Sequence, residues 1–259
     1  MSVQRFGLLR FLCNVCGEGC EEEVASLDRE VPSCKCCGST TRVRSIVHML
    51  SLELFGRSLP LPDFPVTRQV VGIGLSDSHV YADRLAEKFD YTNTFLDREP
   101  RLDITNIDPH YVGTADFLIA SDVFEHVCPP VSRAFRNARR LLKPGGVLLF
   151  TVPYTNATGG VTIEHFPDLH DFTLVADEPA KPRLRNVTAS GGVQVFDELV
   201  FHGGDGLTLE MRVFSQTSLV QEFLAAGFQQ PHIYSDPDFV HGIYWKYAWS
   251  LPMAVRPAS

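Results

Sequence analysis

The feature that most constrains this fold is a regular alternation of strand-like and helix-like segments that begins at Arg68. Strand-like runs are apolar, β-branched or aromatic, and they cover Val70–Ile73, Tyr91–Leu96, Phe117–Ala120 and Val147–Val152. Helical patterns between them cover Tyr81–Phe89 and Val131–Leu142. This alternation predicts an α/β fold with a doubly wound, mostly parallel sheet. Ligands of such sheets bind at the carboxyl ends of the strands, so we expect the functional residues there.

Charge and hydropathy limit the partners that the chain can have. Its 259 residues carry a formal net charge of −8, which gives no general attraction to nucleic acid or to an anionic membrane. No apolar run reaches the roughly 18 residues that a membrane-spanning helix needs. The N-terminus lacks the apolar core and cleavage site of a secretory signal. We therefore predict a cytoplasmic protein without a membrane partner, and we do not favour nucleic acid as a partner.

Six of the seven cysteines lie in one short segment near the N-terminus. Four of them form two C-x-x-C pairs with the spacing of a two-knuckle zinc site. The predicted ligands are Cys13, Cys16, Cys34 and Cys37. Four thiolates make a closed, tetrahedral and therefore structural Zn²⁺ site. Cys20 and Cys36 are spare, and either could replace one of these ligands. Reduced cysteines without a metal are the alternative interpretation.

The cysteine pattern and a proline-rich stretch divide the chain into parts. Residues 1–45 are predicted to form the small zinc module, and residues 46–66 a helix followed by the linker LPLPDFP. Residues 67–259 then form the α/β domain. Because so small a module has little apolar core, we expect bound metal to supply much of its folding free energy.

Three motifs in the α/β domain occur in an order that points to one family. They are VVGIGLSDSH at Val70–His79, FLIASDVFEHV at Phe117–Val127 and RRLLKPGGVLLFTVPY at Arg139–Tyr154. Together they resemble the class I methyltransferases that depend on S-adenosylmethionine (SAM), in the branch that acts on small molecules and glycans. The resemblance covers roughly Arg68 to Pro252. It implies a Rossmann-like sheet of seven strands, most of them parallel.

The glycine-rich loop departs from the pattern of that family. Gly74 occupies the place of the first glycine, Gly72 replaces the usual acid, and Ser76 and Ser78 replace the later glycines. The resemblance implies that this loop approaches the amino-acid end of SAM. A serine hydroxyl there can bind the carboxylate of the cofactor. Asp77 is the candidate that would bind its ammonium group in place of the missing acid. A turn without a ligand is the alternative.

The resemblance also implies a set of polar cofactor contacts at later strand ends. Asp97 matches the acid that binds the ribose hydroxyls, although Glu99 is a rival and a solvated aspartate is the alternative. Asp103 matches the acid near the adenine amino group, or else caps a turn. Ser121 and Asp122 end the fourth strand next to the cofactor, with a buried capping aspartate as the alternative.

Methyl transfer from a sulfonium is an in-line displacement, so the protein mainly positions the acceptor and excludes water. An oxygen or nitrogen acceptor often needs a base as well, and histidine titrates nearest neutrality. The candidates are His126, His165 and His170, of which we favour His165 because it follows the fifth strand most closely. A structural hydrogen bond is the alternative for each of them. A second metal site in IEHFPDLHDF fits no established spacing.

Residues 155–211 exceed an ordinary connection between a strand and a helix. They include a predicted hairpin around HGGDG, and we interpret the insertion as a cap on the acceptor side. A later helix is predicted to bury Leu219, Phe223 and Leu224 and to end at Gly227. Tyr244, Trp245, Tyr247 and Trp249 alternate as residues of a packed strand would.

The sequence therefore predicts a SAM-dependent methyltransferase with structural Zn²⁺ and a small-molecule or sugar acceptor. An RNA methyltransferase is the alternative within the enzyme class, because zinc knuckles also precede this fold in enzymes that modify RNA. A methyltransferase fold that no longer binds the cofactor and serves as a binding module is the alternative outside it.

Overall fold

The computed structural model describes residues 7–156, 160–175, 181–202 and 208–258. The helices are α1 Thr41–Phe55, α2 His79–Lys88, α3 Ser132–Leu141 and α4 Gln216–Ala225. The strands are β1 Leu8–Leu12, β2 Gly19–Glu23, β3 Val71–Leu75, β4 Asp90–Thr94, β5 Ala115–Ser121, β6 Leu142–Thr151, β7 Tyr154–Thr155, β8 Ile163–Glu164, β9 Asp171–Val175, β10 Arg183–Val187, β11 Val193–Phe196, β12 Phe201–His202, β13 Thr208–Leu209, β14 Arg212–Ser215, β15 His232–Ile233 and β16 Met253–Val255.

The central sheet has the strand order β15-β16-β6-β5-β3-β4. Strands β4, β3, β5 and β6 are parallel, and β16 runs antiparallel between β6 and β15. The α/β architecture predicted from the alternation is therefore confirmed. The prediction of seven strands is not, because this sheet has six in the described residues. Directly after β4 the described chain forms an isolated bridge, Phe95 to Arg101, in a segment whose prolines and aspartates favour turns.

The strand order of the sheet reverses between β3 and β5, and this reversal positions the candidate site. From β3 the chain crosses through α2 to β4 on one side, whereas β5 and β6 continue on the other side. Ser76 follows β3 and Asp122 follows β5, and both have φ of 55°, in the left-handed region. Such a conformation costs free energy in a residue other than glycine, and it concentrates at functional sites.

Apolar side chains cover both faces of the sheet. Leu118 of β5 packs with Phe135 and Phe223 on the face that α3 and α4 cover. Its neighbours Phe117 and Ile119 point to the other face, where α1 and α2 pack. Successive strand residues point to opposite faces, so a strand buried on both sides is apolar throughout, as β5 is.

The cysteine segment is joined to this second face. Cys13 and Cys34 belong to the same buried cluster as Ile46 of α1 and Phe117 of β5. Helix α1 begins at Thr41 and so crosses the predicted boundary at residue 45. The boundaries at 45 and 66 stay a prediction, but the segment shares its apolar core with the α/β domain.

The insertion at residues 155–211 forms small antiparallel sheets. Strands β9, β10 and β11 pair with one another, and β12 pairs with β13 on either side of the predicted hairpin tip. Residues 203–207 of that tip lie outside the described residues. In α4, Leu219 and Phe223 are buried as predicted, whereas Leu224 is 49% exposed because it lies on the outer face. The aromatic residues from Tyr244 to Trp249 do not form the expected strand.

We expect Gly72→Ala to destabilise the protein by about 1–3 kcal/mol through overpacking. A Cβ at this position would lie 2.1 Å from the ring of Phe117, which the sheet holds in place. Chemical denaturation measures the change, and Gly19→Ala is the matched control, since a Cβ there meets nothing within 4 Å. Equal stability of the two variants would contradict a packing role for Gly72.

Candidate active site

Two cavities open at the carboxyl ends of the strands. The larger has a volume of about 750 Å³. Its lining residues are Asp28, Arg29, Glu30, Arg42, Ser76, Ser78, Tyr81, Ser121, Asp122, His126, Pro153, His202, Glu210 and Trp249. The smaller has a volume of about 230 Å³. Its lining residues are Leu75, Ser76, Thr94, Leu96, Leu102, Asp103, Ile104, Thr105, Val123, His126, Val127 and Cys128. Ser76 and His126 line both, so the cavities meet at these two residues.

The smaller cavity is mostly apolar with one carboxylate. Asp103 lines it and accepts two hydrogen bonds on Oδ1, from the backbone N–H and the hydroxyl of Thr105. These bonds make a turn and leave Oδ2 without a bond to Thr105. Asp97 is exposed one residue beyond Leu96, which lines the cavity. Of the two predicted acids, Asp103 therefore lines the smaller cavity, whereas Asp97 follows a residue that lines it.

The two glycines predicted to approach the cofactor lie inside β3, where neighbouring side chains leave no room for a Cβ. Gly72 faces Phe117, and a Cβ at Gly74 would lie 2.0 Å from the Tyr91 hydroxyl and 2.4 Å from Asp77 Oδ2. The residue that takes the left-handed turn conformation at the strand end is Ser76. The backbone N–H of Ser76 donates to Thr94 O at 2.7 Å, which fixes the turn against β4.

Asp77 points into the protein. It is 6% exposed and accepts hydrogen bonds from the hydroxyls of Tyr81, at 2.7 Å, and Tyr91, at 2.5 Å. Burial raises the pKa of Asp77 to about 7, although the two tyrosines and the charge of Arg42 act in the opposite direction. The predicted contact of Asp77 with the cofactor ammonium stays a prediction, and this placement does not support it.

Asp122 is held by two arginines from the N-terminal segment. Arg29 Nη1 and Nη2 donate to its two carboxylate oxygens at 2.8 and 2.6 Å, and Arg42 Nε lies 3.2 Å from Oδ2. Thr151 Oγ1 donates to Oδ1, and Arg42 also donates to Ser121 Oγ. Burial opposes ionisation of Asp122, but the two guanidinium groups prevail and lower its pKa to about 2.

Neither arginine was predicted for the site. Each lies in or next to the cysteine segment, and no motif marks it. The backbone N–H of Arg42 donates to Arg29 O, which holds the two residues side by side at the start of α1. Sequence spacing gives no signal for a contact between residues 93 positions apart, such as Arg29 and Asp122.

The three candidate bases lie at different distances from the cavities. His126 lines both cavities, and its Nδ1 lies 2.9 Å from Leu209 O. His165, the favoured candidate, pairs through Nε2 with Glu210 Oε1 at 2.9 Å, and Glu210 lines the larger cavity. His170 is exposed, and its backbone N–H donates to Asn186. The structure therefore favours His126 as the histidine that faces a bound molecule.

Glu125, next to His126, was also missed by sequence reasoning. Its side chain is fully buried, and among the described residues neither carboxylate oxygen has a hydrogen-bond partner. Burial raises its pKa well above the ordinary value of a glutamate. The EH pair in SDVFEHV was the only sequence signal, and it does not show that Glu125 points inward.

The four predicted zinc ligands come together. Cys13 and Cys37 Sγ lie 3.7 Å apart, and Cys16 and Cys34 Sγ lie 3.6 Å apart. All four sulfur atoms lie within 4.8 Å of one another. Tetrahedral Zn²⁺ with bonds of about 2.3 Å places sulfurs roughly 3.8 Å apart, so the cluster has the right size. The spare Cys36 is exposed, and Cys20 is not part of the group of four.

Comparison with known proteins finds a family model that matches part of the α/β domain. Residues 58–148 match the sequence model of a family described as "Methyltransferase domain". No curated protein sequence matches the chain. The match agrees, over these residues, with the predicted resemblance to methyltransferases. The comparisons give no support to the RNA alternative.

Solved structures similar to this chain include three methyltransferases. The 1,6-didemethyltoxoflavin N1-methyltransferase of Burkholderia thailandensis has 14% identity and a TM-score of 0.46, over 83% of this chain and 78% of that chain. The sugar N-methyltransferase KedS8 of a Streptoalloteichus species has 14% identity and a TM-score of 0.45, over 83% and 86%. The amino pentose methyltransferase CalS10 of Micromonospora echinaspora has 13% identity and a TM-score of 0.45, over 83% and 89%.

Among the described helices, none is long and apolar enough to cross a membrane.

We expect the stability of the protein to report the ionisation of Asp77. Its folded pKa, about 7, lies above that of an unfolded aspartate, so the folded state binds more protons at intermediate pH. The unfolding free energy of the wild type, relative to Asp77→Asn, should fall between about pH 4 and pH 7. The slope should be at most about 1.4 kcal/mol per pH unit, with a plateau above that range.

Urea denaturation of both proteins across this pH range measures the difference. Tyr81, Tyr91 and Arg42 face residue 77 in both proteins, so their own contributions to the unfolding free energy cancel in the comparison. A difference that does not depend on pH would show that Asp77 is ionised throughout.

Proposed function

We propose that this protein transfers the methyl group of SAM to a small polyhydroxylated acceptor, such as a sugar or a glycan unit. The observation that carries the proposal is the pair of joined cavities at the switch point of a methyltransferase-domain sheet. Ligands of open α/β sheets bind at such a point. One cavity is apolar and the other is polar, so cofactor and acceptor can bind side by side.

The smaller cavity suits the adenosine part of SAM. Its apolar walls match a flat heterocycle, and the Asp103 carboxylate offers an acceptor for an amino group at the edge. Asp97, which follows Leu96 in the sequence, would then bind the ribose hydroxyls. The amino-acid end of the cofactor would then lie toward Ser76, where the two cavities meet. Because Arg29 and Arg42 already bind the Asp122 carboxylate, we assign Asp122 a structural role in the wall of the cavity.

The larger cavity suits a polar acceptor. Carboxylates, guanidinium groups, hydroxyls and histidines line it, and they offer both donors and acceptors to a hydroxylated molecule. Trp249 adds an aromatic surface at its rim, where its ring stacks on Tyr247 with centroids 5.9 Å apart. These rings are 44% and 59% exposed, and aromatic surface beside polar groups fits the apolar face of a sugar ring.

The chemical work of the chain is mainly positioning. SAM supplies an activated methyl group, and the residues that line the cavities align the acceptor with it and exclude water. His126 lies at the junction, where an acceptor atom must meet the methyl group. His202 and Glu210 of the insertion close the larger cavity on its other side, which supports the predicted role of the insertion as a cap.

We also propose that Cys13, Cys16, Cys34 and Cys37 bind one structural Zn²⁺ ion. The size of the sulfur cluster supports this ligand set. A second support is Arg44, which is fully buried beside the cluster and donates to Ser33, Ser39 and Gly242. In the described residues no carboxylate pairs with Arg44, whereas Zn²⁺ with four thiolates carries a net negative charge that would balance it.

Asp97→Ala is expected to weaken SAM binding by about tenfold or more, because bonds to a charged group contribute about 1.5–3 kcal/mol. Isothermal calorimetry measures the affinity for SAM and for its demethylated product, which has the same ribose. Asp83→Ala, an exposed carboxylate on α2, is the control and should bind as the wild type does. An unchanged affinity in Asp97→Ala would remove Asp97 from the site. Failure of the wild type to bind either molecule would refute the proposed function.

Metal analysis of the purified protein is expected to find about one zinc per chain, because four thiolates complete one tetrahedral site. Cys34→Ser should lose the metal, whereas Cys36→Ser, in the neighbouring exposed residue, should keep it. Zinc retained in Cys34→Ser and lost in Cys36→Ser would show that the ligand set is wrong.

A further inference from the structure

A fully buried carboxylate lies next to His126, which lines both cavities. Glu125 is 0% exposed, and neither Oε1 nor Oε2 accepts a hydrogen bond from any residue that the structure describes. Its Oε1 lies 3.8 Å from Nε2 of His126. An isolated buried carboxylate is costly, and proteins normally pair it or bind a metal ion with it. Protonation would remove the charge but would leave the polar atoms without partners.

The neighbouring histidine is oriented as a metal ligand would be. His126 Nδ1 lies 2.9 Å from Leu209 O, and a carbonyl can only accept, so Nδ1 carries the proton. The lone pair is then on Nε2, which faces Glu125. Metal-binding histidines characteristically donate their other N–H to a carbonyl or a carboxylate in this way.

A second histidine comes from the insertion. The ring of His202 lies 4.7 Å from the ring of His126, and one donor atom from each of Glu125, His126 and His202 lies within 4.8 Å of the others. Nε2 of His202 pairs with Glu210 Oε2 at 2.7 Å, and the other oxygen of Glu210 pairs with His165. Glu210 therefore orients His202 and adds negative charge beside the group.

We propose that Glu125, His126 and His202 bind a divalent transition-metal ion at the junction of the two cavities. Two imidazoles and one carboxylate suit Mn²⁺, Fe²⁺, Co²⁺ or Zn²⁺ better than Mg²⁺ or Ca²⁺, which prefer oxygen ligands. A tetrahedral ion with bonds of about 2.1 Å holds its ligands roughly 3.4 Å apart. The 3.8 Å separation of Glu125 and His126 therefore requires a contraction of a few tenths of an ångström.

The other histidine cluster of the described chain does not show the same features. In it, Asp238 Oδ2 lies 2.7 Å from His241 Nδ1 and 3.1 Å from His48 Nδ1, and His48 also pairs with Ser58. These groups satisfy one another by hydrogen bonds, and none of their oxygens is among the buried unpaired atoms of the described residues. The cysteine cluster offers soft thiolates, which select zinc over Mn²⁺.

The position of the ion deepens the proposed function, on which this step rests. His126 and His202 line the larger cavity, so an acceptor hydroxyl in that cavity can bind an open position of the ion. A bound metal ion lowers the pKa of a coordinated oxygen, so the hydroxyl would release its proton to solvent or to a nearby carboxylate. His126 would then serve as a metal ligand.

The test is a titration with Mn²⁺ of the full chain that carries one zinc ion, in the cysteine site. Binding is measured as the loss of the electron paramagnetic resonance signal of free Mn²⁺. The wild type should bind about one Mn²⁺ per chain, and Glu125→Gln and His202→Ala should each weaken binding at least tenfold. His110→Ala is the matched control, because it removes an exposed histidine that pairs with Asp108.

Retention of Mn²⁺ by both Glu125→Gln and His202→Ala would overturn the proposal, as would its loss in Asp238→Asn alone. The titration contains neither SAM nor acceptor, so its outcome is independent of the calorimetric test of the proposed function. A chain that binds SAM but no Mn²⁺ keeps that function and loses this site.

A thermal-shift measurement gives a second readout that does not depend on activity. Mn²⁺ should raise the Tm of the wild type and leave that of Glu125→Gln unchanged, since only a ligand of the folded state stabilises it. Without metal, Glu125→Gln should be at least as stable as the wild type, because it removes a buried unpaired carboxylate. A Glu125→Gln variant that Mn²⁺ stabilises as much as the wild type would contradict the site.

Discussion

The bidentate ion pair between Arg29 and Asp122 joins the two parts of this molecule. Arg29 comes from the cysteine segment, and Asp122 comes from the end of the central strand β5. Arg42, the second arginine that contacts Asp122, lies in the first turn of helix α1, so one aspartate holds both a loop and a helix against the sheet. Partly buried arginine–carboxylate pairs with this geometry are strong and directional. Asp122 is therefore held in its left-handed conformation by contacts from the cysteine segment, from helix α1 and from Thr151 at the end of β6.

This contact makes the cysteine segment a wall of the active site. Asp28, Arg29, Glu30 and Arg42 line the larger cavity, and the cysteine cluster shares its apolar core with the sheet. A structural zinc ion there would fix the positions of these side chains as well as the fold of the segment. The insertion contributes His202 and Glu210 from the other side. The polar cavity is thus built from both ends of the chain around a sheet that supplies the strand ends.

Local patterns predicted much of this arrangement, and long-range contacts account for what they missed. Strand alternation located the ends of β3 and β5, and the paired cysteines identified the sulfur cluster, because both signals depend on residues close in sequence. The motif glycines were predicted to approach the cofactor. In the structure, Gly72 packs against the ring of Phe117, which lies 45 residues away in the sequence. Arg29 and the inward position of Glu125 carry no local signal, since only the folded chain brings their surroundings together.

A double-mutant cycle on Arg29 and Asp122 tests this account most directly. Arg29→Met and Asp122→Asn are made singly and together, and urea denaturation gives the unfolding free energy of each protein. If the pair joins the cysteine segment to the sheet, the coupling energy should be about 2 kcal/mol, because residues of one ion pair couple by about 0.5–3 kcal/mol. Additive effects within about 0.5 kcal/mol would show that the two groups do not interact, and would contradict the account.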